Sequence, residues 1–332
     1  MRVLVTGATG FIGRNMVQYL RDLDHDVVGL ARATSKEWKV HALQAMGADV
    51  AFGDVVDRSS VAAAVKDCDA VVHTAALVRL GRVDPDEMER TNVGGTENVL
   101  AAARDAKVDR VLHVSSIAAL GLHANGMADE TSDHSGAYTS PYERTKHVST
   151  LVADQYSDSG LRIVQAFPSV VFGRRDPNFG HYLKRYMQRK IPVLPAPDTS
   201  VPLVHVEDLA RGLHLALTKG KRGDRFVFNQ ADILLGDLFA RLEAITGIPQ
   251  PRLVISAKAA KRAIKVASAM TRVLPGVATL PATAGDFLGK KRTYSSKAAI
   301  DRLGWDPGDF DARLEDTARY YAERYGKDRN GA

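Results

Sequence analysis

Three glycines near the start of the chain constrain its fold more than any other feature. Gly7, Gly10 and Gly13 follow an apolar run at residues 3–5 and precede a helical stretch at residues 14–23. Gly7 permits a tight turn, Gly10 lets a ligand approach the backbone, and Gly13 lets the helix pack closely on the strand. The free N–H groups and the dipole of the helix N-terminus then favour a phosphate. In this strand–turn–helix context the spacing G-x-x-G-x-x-G predicts a dinucleotide-binding turn.

Short apolar runs rich in β-branched residues alternate with helical stretches through the first half of the chain. The runs lie at residues 3–5, 27–30, 50–52, 70–72, 111–114 and 163–167, and the helical stretches at residues 14–23, 59–65, 87–105 and 142–157. This alternation predicts an α/β fold, a Rossmann-type doubly wound parallel sheet with helices on both faces.

The alternation ends near residue 173, where a turn-rich segment begins. Helical patterns return at residues 206–217, 234–245, 257–273, 295–303 and 311–325. We therefore predict a Rossmann domain and a smaller, mostly helical substrate lobe at its carboxyl edge. The Rossmann domain takes residues 1–173 and is rejoined by 198–217, the lobe takes 174–197 and 218–326, and residues 327–332 form a tail.

Composition excludes several classes of protein. The 332 residues are 45% hydrophobic and 25% charged, which suits a globular chain with a sizeable core. The single cysteine, Cys68, excludes a disulfide framework and a thiolate-only metal site, and we expect no metal. The start has no signal-peptide layout and no apolar run approaches the roughly 18 residues of a spanning helix, so we expect a cytoplasmic protein. The cations behind the net charge of +6 are spread along the chain without a recognition motif, so nucleic acid is not an expected partner.

The residue after the second strand predicts which dinucleotide binds. An NAD site usually has an acidic residue about 20 positions beyond the glycines, but none lies between residues 27 and 36. Arg32 stands there instead, followed by Lys36 and Lys39, and a guanidinium suits the 2′-phosphate of NADP(H). A solvated surface arginine is the alternative, so NADP(H) is preferred and NAD(H) stays open. Asp54 is a candidate acceptor for the adenine amino group or, alternatively, a helix cap.

Small residues after the fourth strand fit the same site. Thr74, Ala75 and Ala76 would let the cofactor lie close to the backbone where the strand order reverses. Tight packing of a helix on the sheet demands the same residue types, so this motif is weak by itself.

A tyrosine and a lysine four residues apart predict an acid/base pair. Tyr142 and Lys146 share one face of a helical stretch, and a nearby ammonium lowers the pKa of a phenol. Tyr142 can then exchange a proton near neutral pH. Ser116 follows the fifth strand, where its hydroxyl can polarise a carbonyl oxygen at the sheet edge. Tyr138 has no lysine four residues later and is the weaker candidate.

Together these motifs resemble the extended short-chain dehydrogenase/reductases of the NAD(P)-dependent epimerase/dehydratase superfamily. The matching stretches are TGATGFIG (6–13), GDV (53–55), HTAA (73–76), TNVGGTENVL (91–100), VSSIAALG (114–121), SPYERTK (140–146), FPSVVFG (167–173), VHVEDLARG (204–212) and YSSKAAIDRLGW (294–305). The resemblance therefore covers nearly the whole chain.

The resemblance implies a Ser116–Tyr142–Lys146 triad in which the tyrosine exchanges the proton and the lysine binds the nicotinamide ribose. It implies that Asn92 braces the active-site loops, although a buried helix asparagine is an equal alternative. It also implies dimerisation through the helices at residues 87–105 and 142–157. The full candidate set for the cofactor is Gly7, Thr9, Gly10, Phe11, Ile12, Gly13, Arg32, Asp54, Val55, Thr74, Ala75, Ala76, Val114, Tyr142, Lys146, Pro168 and Val171.

Two differences from the sugar-nucleotide members indicate which branch of the superfamily this sequence resembles. Residues 169–173 lack the asparagine that those members usually carry, and residues 200–205 lack their Arg-Asp pair. The pattern is closer to dihydroflavonol reductases, 3β-hydroxysteroid dehydrogenases and hopanoid-associated members, which act on bulky, relatively apolar ketones and alcohols. Candidate substrate residues are Val78, Ile117 and His181.

A basic amphipathic stretch at residues 255–273 fits a membrane surface or a lipid-like substrate, but a solvated basic face is favoured. We therefore expect an NADP(H)-dependent ketone reductase or alcohol dehydrogenase. The alternatives are a sugar-nucleotide epimerase or dehydratase that holds its cofactor tightly and, from another class, a nucleotide-sensing binding protein.

Overall fold

The computed structural model describes residues 1–78, 84–123, 126–270 and 288–326, except for the side chains of residues 266–270. The strands in this part of the chain are β1 (Arg2–Thr6), β2 (Asp26–Ala31), β3 (Asp49–Phe52), β4 (Ala70–His73), β5 (Arg110–Val114), β6 (Met127–Ala128), β7 (Ile163–Pro168), β8 (Val170–Phe172), β9 (Val193–Pro195), β10 (Ser200–His205), β11 (Arg225–Phe228), β12 (Ala231–Leu234), β13 (Leu253–Ile255) and β14 (Thr293–Tyr294). The helices are α1 (Phe11–Asp22), α2 (Glu37–Ala45), α3 (Arg58–Val65), α4 (Pro85–Glu89), α5 (Gly95–Asp105), α6 (Pro141–Asp158), α7 (Phe179–Met187), α8 (Val206–Lys219), α9 (Leu235–Thr246), α10 (Ala257–Met270) and α11 (Phe310–Tyr325).

Seven parallel strands form the central sheet in the order β11-β7-β5-β4-β1-β2-β3. All six apolar runs that predicted strands lie in it, so the Rossmann-type α/β fold is confirmed. The strand order reverses between β1 and β4, and a doubly wound sheet binds its ligand at that crevice.

Three strands lie where we did not expect them. We assigned β8 and β10 to the Rossmann domain, but they pair with each other in a separate three-stranded sheet. We assigned residues 218–326 to the substrate lobe, but β11 pairs in parallel with β7 and extends the central sheet. Its side chains Phe226, Val227 and Phe228 are fully buried, so this edge position removes three large apolar residues from water.

Helices cover both faces of the sheet because its strands are apolar on both faces. On one face, α1 and α8 pack side by side over residues such as Val3, Val5 and Leu112. On the other face, α3, α5 and α6 pack over residues such as Leu4 and Val71. Alternate residues of β1 thus belong to opposite cores.

The substrate lobe has its own core. The short strands β12, β10 and β8 form a three-stranded sheet, against which α7, α9 and α11 pack. The helical stretch expected at 295–303 is instead a π-helical turn, Ala299–Leu303. The stretch expected at 257–273 is helical as far as Met270, and its last residues and the 327–332 tail lie outside the described residues.

A buried carboxylate joins the lobe to the central sheet. Asp208, on α8, is completely buried and accepts a two-pronged hydrogen bond from Arg313 on α11, at 3.0 and 2.9 Å. Arg211 donates to the same carboxylate at 3.0 Å, and Gln230 donates at 3.3 Å. Within the described ranges, no helix is both long and apolar enough to cross a membrane.

Candidate active site

The glycine turn leaves no room for side chains. Gly7 has a φ of +68°, and a Cβ atom there would lie 2.7 Å from the backbone nitrogen of Ala75. A Cβ atom on Gly13 would lie 2.2 Å from the carbonyl oxygen of Gly7. Gly10 begins α1 without a side-chain cap, so no side chain shields the first turn from a ligand. This bare backbone cradle at a helix N-terminus fits the diphosphate of a dinucleotide.

The ends of β1 and β4 are locked together beside this turn. Thr74 donates its hydroxyl to the carbonyl oxygen of Thr6 at 2.7 Å. Ala75 and Ala76 follow as half-buried residues, so a small-residue ledge lies next to Gly7 at the crevice. Thr9, Phe11 and Ile12, which we predicted to bind the cofactor, are partly exposed along the same turn.

Ser116 and Tyr142 meet at the carboxyl edge of the sheet. Ser116 follows β5 and Tyr142 lies in the first turn of α6, and the Ser116 hydroxyl is near enough to the phenol to lower its pKa. The Oγ atom of Ser116 also accepts the backbone N–H of Ala118 at 3.2 Å. Because that bond uses a lone pair, the hydroxyl proton of Ser116 is available to an oxygen at this edge.

Lys146 does not have the expected effect on Tyr142. Burial raises the pKa of Tyr142, and only the nearby Ser116 hydroxyl opposes that shift. The ammonium of Lys146, four residues after Tyr142 in α6, instead donates to the carbonyl oxygen of Val114 at 2.9 Å. Burial lowers the pKa of Lys146 to about 8. The lysine is thus anchored by β5 and is itself only weakly basic.

Two buried histidines lie under Lys146, and the sequence reasoning missed them. His73 is the last residue of β4, His113 is the last but one of β5, and their rings stack with centroids 5.8 Å apart. Burial, followed by repulsion from nearby cations, lowers the pKa of His113 to about 3 and the pKa of His73 well below its usual value. Both rings are therefore neutral, and Lys146 is the cation of this buried group. His73 is held between Thr6 and Thr96, at 2.7 and 3.1 Å.

Asn92 braces the site, as the resemblance implied. It lies in a π-helical turn, Arg90–Gly94, which inserts between α4 and α5. Its side chain accepts the N–H of Leu77 at 2.6 Å and donates to Thr145 at 3.1 Å. The asparagine therefore ties the segment after β4 to the helix that carries Tyr142, and π-helical turns often occur at functional sites.

Four cations gather beside the start of α1. They are Arg14, Arg32, Lys36 and Lys39. Burial, followed by repulsion from Arg14, Lys36 and Arg32, lowers the pKa of Lys39. Burial and the nearby Arg175 lower the pKa of Arg14. Within the described part of the chain none of the four has a carboxylate within 4 Å. Arg14 and Arg175 were missed because contacts across the fold, rather than spacing, bring them to this cluster.

Comparison with known proteins identifies the family. The model of the NAD dependent epimerase/dehydratase family matches residues 3–229 of this chain. The chain belongs to the NAD-dependent epimerase/dehydratase family. It is accordingly an NAD(P)-dependent oxidoreductase of that family.

Relatives within this family include proteins that act on very different molecules. Sterol demethylase protein B of Methylococcus capsulatus is 33% identical over 260 residues, which cover 77% of each chain. The 4-hydroxy-2-methyl-3-oxo-4-farnesyl-3,4-dihydroquinoline-1-oxide ketoreductase of Stigmatella aurantiaca is 29% identical and covers 92% of each chain. The solved dTDP-glucose 4,6-dehydratase DesIV of Streptomyces venezuelae, with NAD and TYD bound, is 25% identical, with a TM-score of 0.80 over 97% of each chain.

Two of the predicted cofactor residues have local structural partners. Asp54 accepts the backbone N–H of Val56 at 3.2 Å, and the side chain that caps α3 is that of Asp57. Val55 is buried, and a Cβ atom on Gly95 would lie 2.8 Å from its side chain. The capping alternative for Asp54 is therefore wrong, and its contact with adenine stays a prediction.

The predicted substrate residues are scattered. Ile117 is buried in a small apolar cluster with residues such as Phe167 and Tyr294. Val78 is 42% exposed after β4, and His181 is exposed on α7, where its ring meets that of Tyr182 at 5.9 Å. At the nicotinamide end, Pro168 closes β7 and Val171 lies half-buried in β8. In the described ranges no three His, Cys, Asp or Glu side chains are grouped to hold a metal.

Proposed function

We propose that this protein reduces the ketone, or oxidises the corresponding alcohol, of a bulky and relatively apolar substrate with NADP(H). Lipid, sphingoid, steroid-like and flavonoid-like ketones are of this class. The observation that carries the proposal is the proximity of Ser116 and Tyr142 at the carboxyl edge of the sheet, with Lys146 of the same helix anchored on the carbonyl oxygen of Val114.

Each member of the triad has a distinct role in this proposal. Ser116 donates to the carbonyl oxygen, since its own oxygen already accepts the N–H of Ala118. Tyr142 gives its phenolic proton to that oxygen as negative charge develops there. Lys146, anchored on the carbonyl oxygen of Val114, holds the nicotinamide ribose. When bound, the reduced nicotinamide supplies the hydride that the carbonyl carbon takes up.

The preference for NADP(H) is supported by the four cations beside α1. Arg32, Lys36, Lys39 and Arg14 repel one another and lack carboxylate partners among the described residues. A 2′-phosphate would relieve that repulsion, whereas the diol of NAD would leave it in place.

The preference for an apolar substrate has two supports. Residues 169–173 lack the asparagine, and residues 200–205 lack the Arg-Asp pair, that the sugar-nucleotide members usually carry. The names of two relatives include a sterol and a farnesyl group. The similarity to the dehydratase DesIV supports the alternative of a sugar-nucleotide substrate.

Turnover with free cofactor tests the reaction. The purified protein is given NADPH and a panel of hydrophobic ketones, and nicotinamide absorbance is followed with product formation. We expect matched loss of NADPH and gain of alcohol. Tyr142→Phe should lower kcat by about a hundredfold or more. Tyr138→Phe, at a partly exposed tyrosine in the loop before α6, is the control and should be neutral.

Three results would contradict this proposal. Conversion of a sugar nucleotide with no net change in absorbance would favour the epimerase or dehydratase. Equal activity of Tyr142→Phe and the unmodified protein would remove the triad from the chemistry. Tight nucleotide binding with no turnover of any ketone would favour a binding protein.

Cofactor preference is tested separately. Arg32→Gln combined with Lys39→Gln should raise the KM for NADPH by about tenfold to a hundredfold, because two charge-assisted contacts with phosphate are lost. The KM for NADH should change little. Arg222→Gln, at an exposed arginine before β11, should alter neither value. Equal effects on both cofactors would place the two cations away from the 2′-phosphate.

The domain division and the dimer also remain proposals. We propose that residues 1–173 and 198–217 supply the cofactor domain except for β8 and β10, which belong to the sheet of the lobe, and we now add β11 to it. A homodimer through α5 and α6 is supported by their side-by-side packing and by Leu151 of α6, which is 44% exposed.

A further inference from the structure

The net charge of the chain is concentrated in one short segment of the lobe. Residues 252–265 contain five lysines and arginines and no acidic residue. The other 318 residues contain 40 lysines and arginines and 39 acidic residues, so they are almost neutral. A net charge of +6 thus reflects a local surface rather than a generally basic protein.

The fold turns these cations outwards. Lys258, Lys261, Arg262 and Lys265 are exposed on α10, where their spacing of three and four residues puts them in one stripe. Ala260 and Ile264 of the same helix are buried against Ala196 and Leu288. The helix is therefore fixed to the lobe by one side and presents its charges on another.

Two exposed apolar side chains lie just before this stripe. Leu253 is 58% exposed and Val254 is 54% exposed, both in β13, which pairs with β9 at the edge of the lobe. Only Ile255 and Ser256 separate them from α10, and Arg252 precedes them. We call this surface the basic face; it consists of Arg252, Leu253, Val254, Lys258, Lys261, Arg262 and Lys265.

We propose that the basic face binds the surface of an anionic lipid membrane. Clustered lysines and arginines are attracted to acidic headgroups, while neighbouring branched apolar side chains enter the boundary between headgroups and acyl chains. The five cations have no carboxylate within 4 Å among the described residues, so this charge is not neutralised locally. The cations of the basic face would also attract a nucleic acid, but the exposed side chains of Leu253 and Val254 do not favour binding to one.

Vesicle binding by the full chain tests this proposal without any substrate or cofactor. The protein is sedimented with vesicles of phosphatidylcholine alone and of phosphatidylcholine with phosphatidylglycerol. We expect binding to the anionic vesicles only, and its loss at high salt. Replacing Lys258, Lys261, Arg262 and Lys265 by glutamine should lower the partition coefficient about a hundredfold or more, since each cation contributes substantially near an anionic surface.

A matched control separates this local surface from total charge. Lys66, Lys107, Lys221 and Arg222 are exposed residues that precede strands of the central sheet, far from α10 in sequence. Replacing these four by glutamine removes the same charge and should leave vesicle binding within about twofold. Circular dichroism and NADPH binding confirm that both quadruple variants are folded. Equal losses in the two variants, no binding to anionic vesicles, or binding to a DNA duplex but not to vesicles would overturn the proposal.

Discussion

The ion pair between Asp208 and Arg313 offers a direct measure of how strongly the lobe is held to the sheet. Arg313→Met removes two charge-assisted hydrogen bonds to Asp208, at 3.0 and 2.9 Å, and one to the exposed Glu207, at 2.6 Å, and it leaves the completely buried Asp208 carboxylate. Removing one partner of a buried pair typically costs roughly 3–5 kcal/mol. Because Arg211 and Gln230 still donate to Asp208, we expect a loss of about 3 kcal/mol in the free energy of unfolding.

An exposed pair involving the same helix provides the control. Arg174 and Asp316 of α11 also form a two-pronged contact, but their side chains are 57% and 41% exposed. Arg174→Met should therefore cost at most about 1 kcal/mol. Urea unfolding with unchanged m-values measures both losses, and the larger one should lower Tm by roughly 6 °C or more.

A double variant distinguishes an unpaired charge from lost packing. Asp208→Asn combined with Arg313→Met leaves no unpaired anion, so it should be more stable than Arg313→Met alone. Equal losses in Arg313→Met and Arg174→Met would refute the reasoning, because burial would then have no effect on the cost.

Three further predictions follow from single residues. Gly13→Ala should weaken NADPH binding at least about tenfold, because its Cβ would lie 2.2 Å from a backbone oxygen, whereas Gly94→Ala meets nothing within 4 Å and should be neutral in calorimetry. With the pKa of Lys146 at about 8, NADPH binding should weaken as pH rises beyond that value, and Lys146→Met should bind weakly with little dependence on pH in this range. Burial raises the pKa of Asp176 to about 6, so the folded state binds this proton more tightly than the unfolded state, and stability should fall by up to about 3 kcal/mol as pH rises from about 4 to 7. Denaturant titrations should show a smaller fall for Asp176→Asn; an identical fall would contradict the assignment.

Periodicity was sufficient to predict the central sheet because parallel strands buried on both faces are continuous apolar runs. All six predicted runs are strands, and the glycine turn has the expected strand–turn–helix context. Strand β11 was missed because an edge strand far along the chain is recognisable only from its partner, β7.

In the candidate site too, features that depend on local structure were predicted and features that depend on packing were not. Motif spacing predicted that Ser116 and Tyr142 lie near each other, and they do, since both positions depend on local structure at one edge of the sheet. It gave the wrong direction for the pKa of Tyr142, because burial of the phenol and the bond from Lys146 to Val114 depend on packing. The histidine pair beneath the lysine depends on the register of β4 and β5, in which His73 lies opposite His113.

The path of the chain between the two parts of the molecule has a consequence for engineering. The chain leaves the central sheet after β7, builds β8, α7 and β10 in the lobe, returns with α8 and β11, and leaves again. The lobe is therefore not one contiguous segment, and no single pair of junctions can exchange it for the lobe of a relative. A chimaera must graft two separate segments together and preserve α8 and β11, which lie between them. Transfer of substrate specificity between members of this family therefore requires that both segments of the lobe are exchanged together.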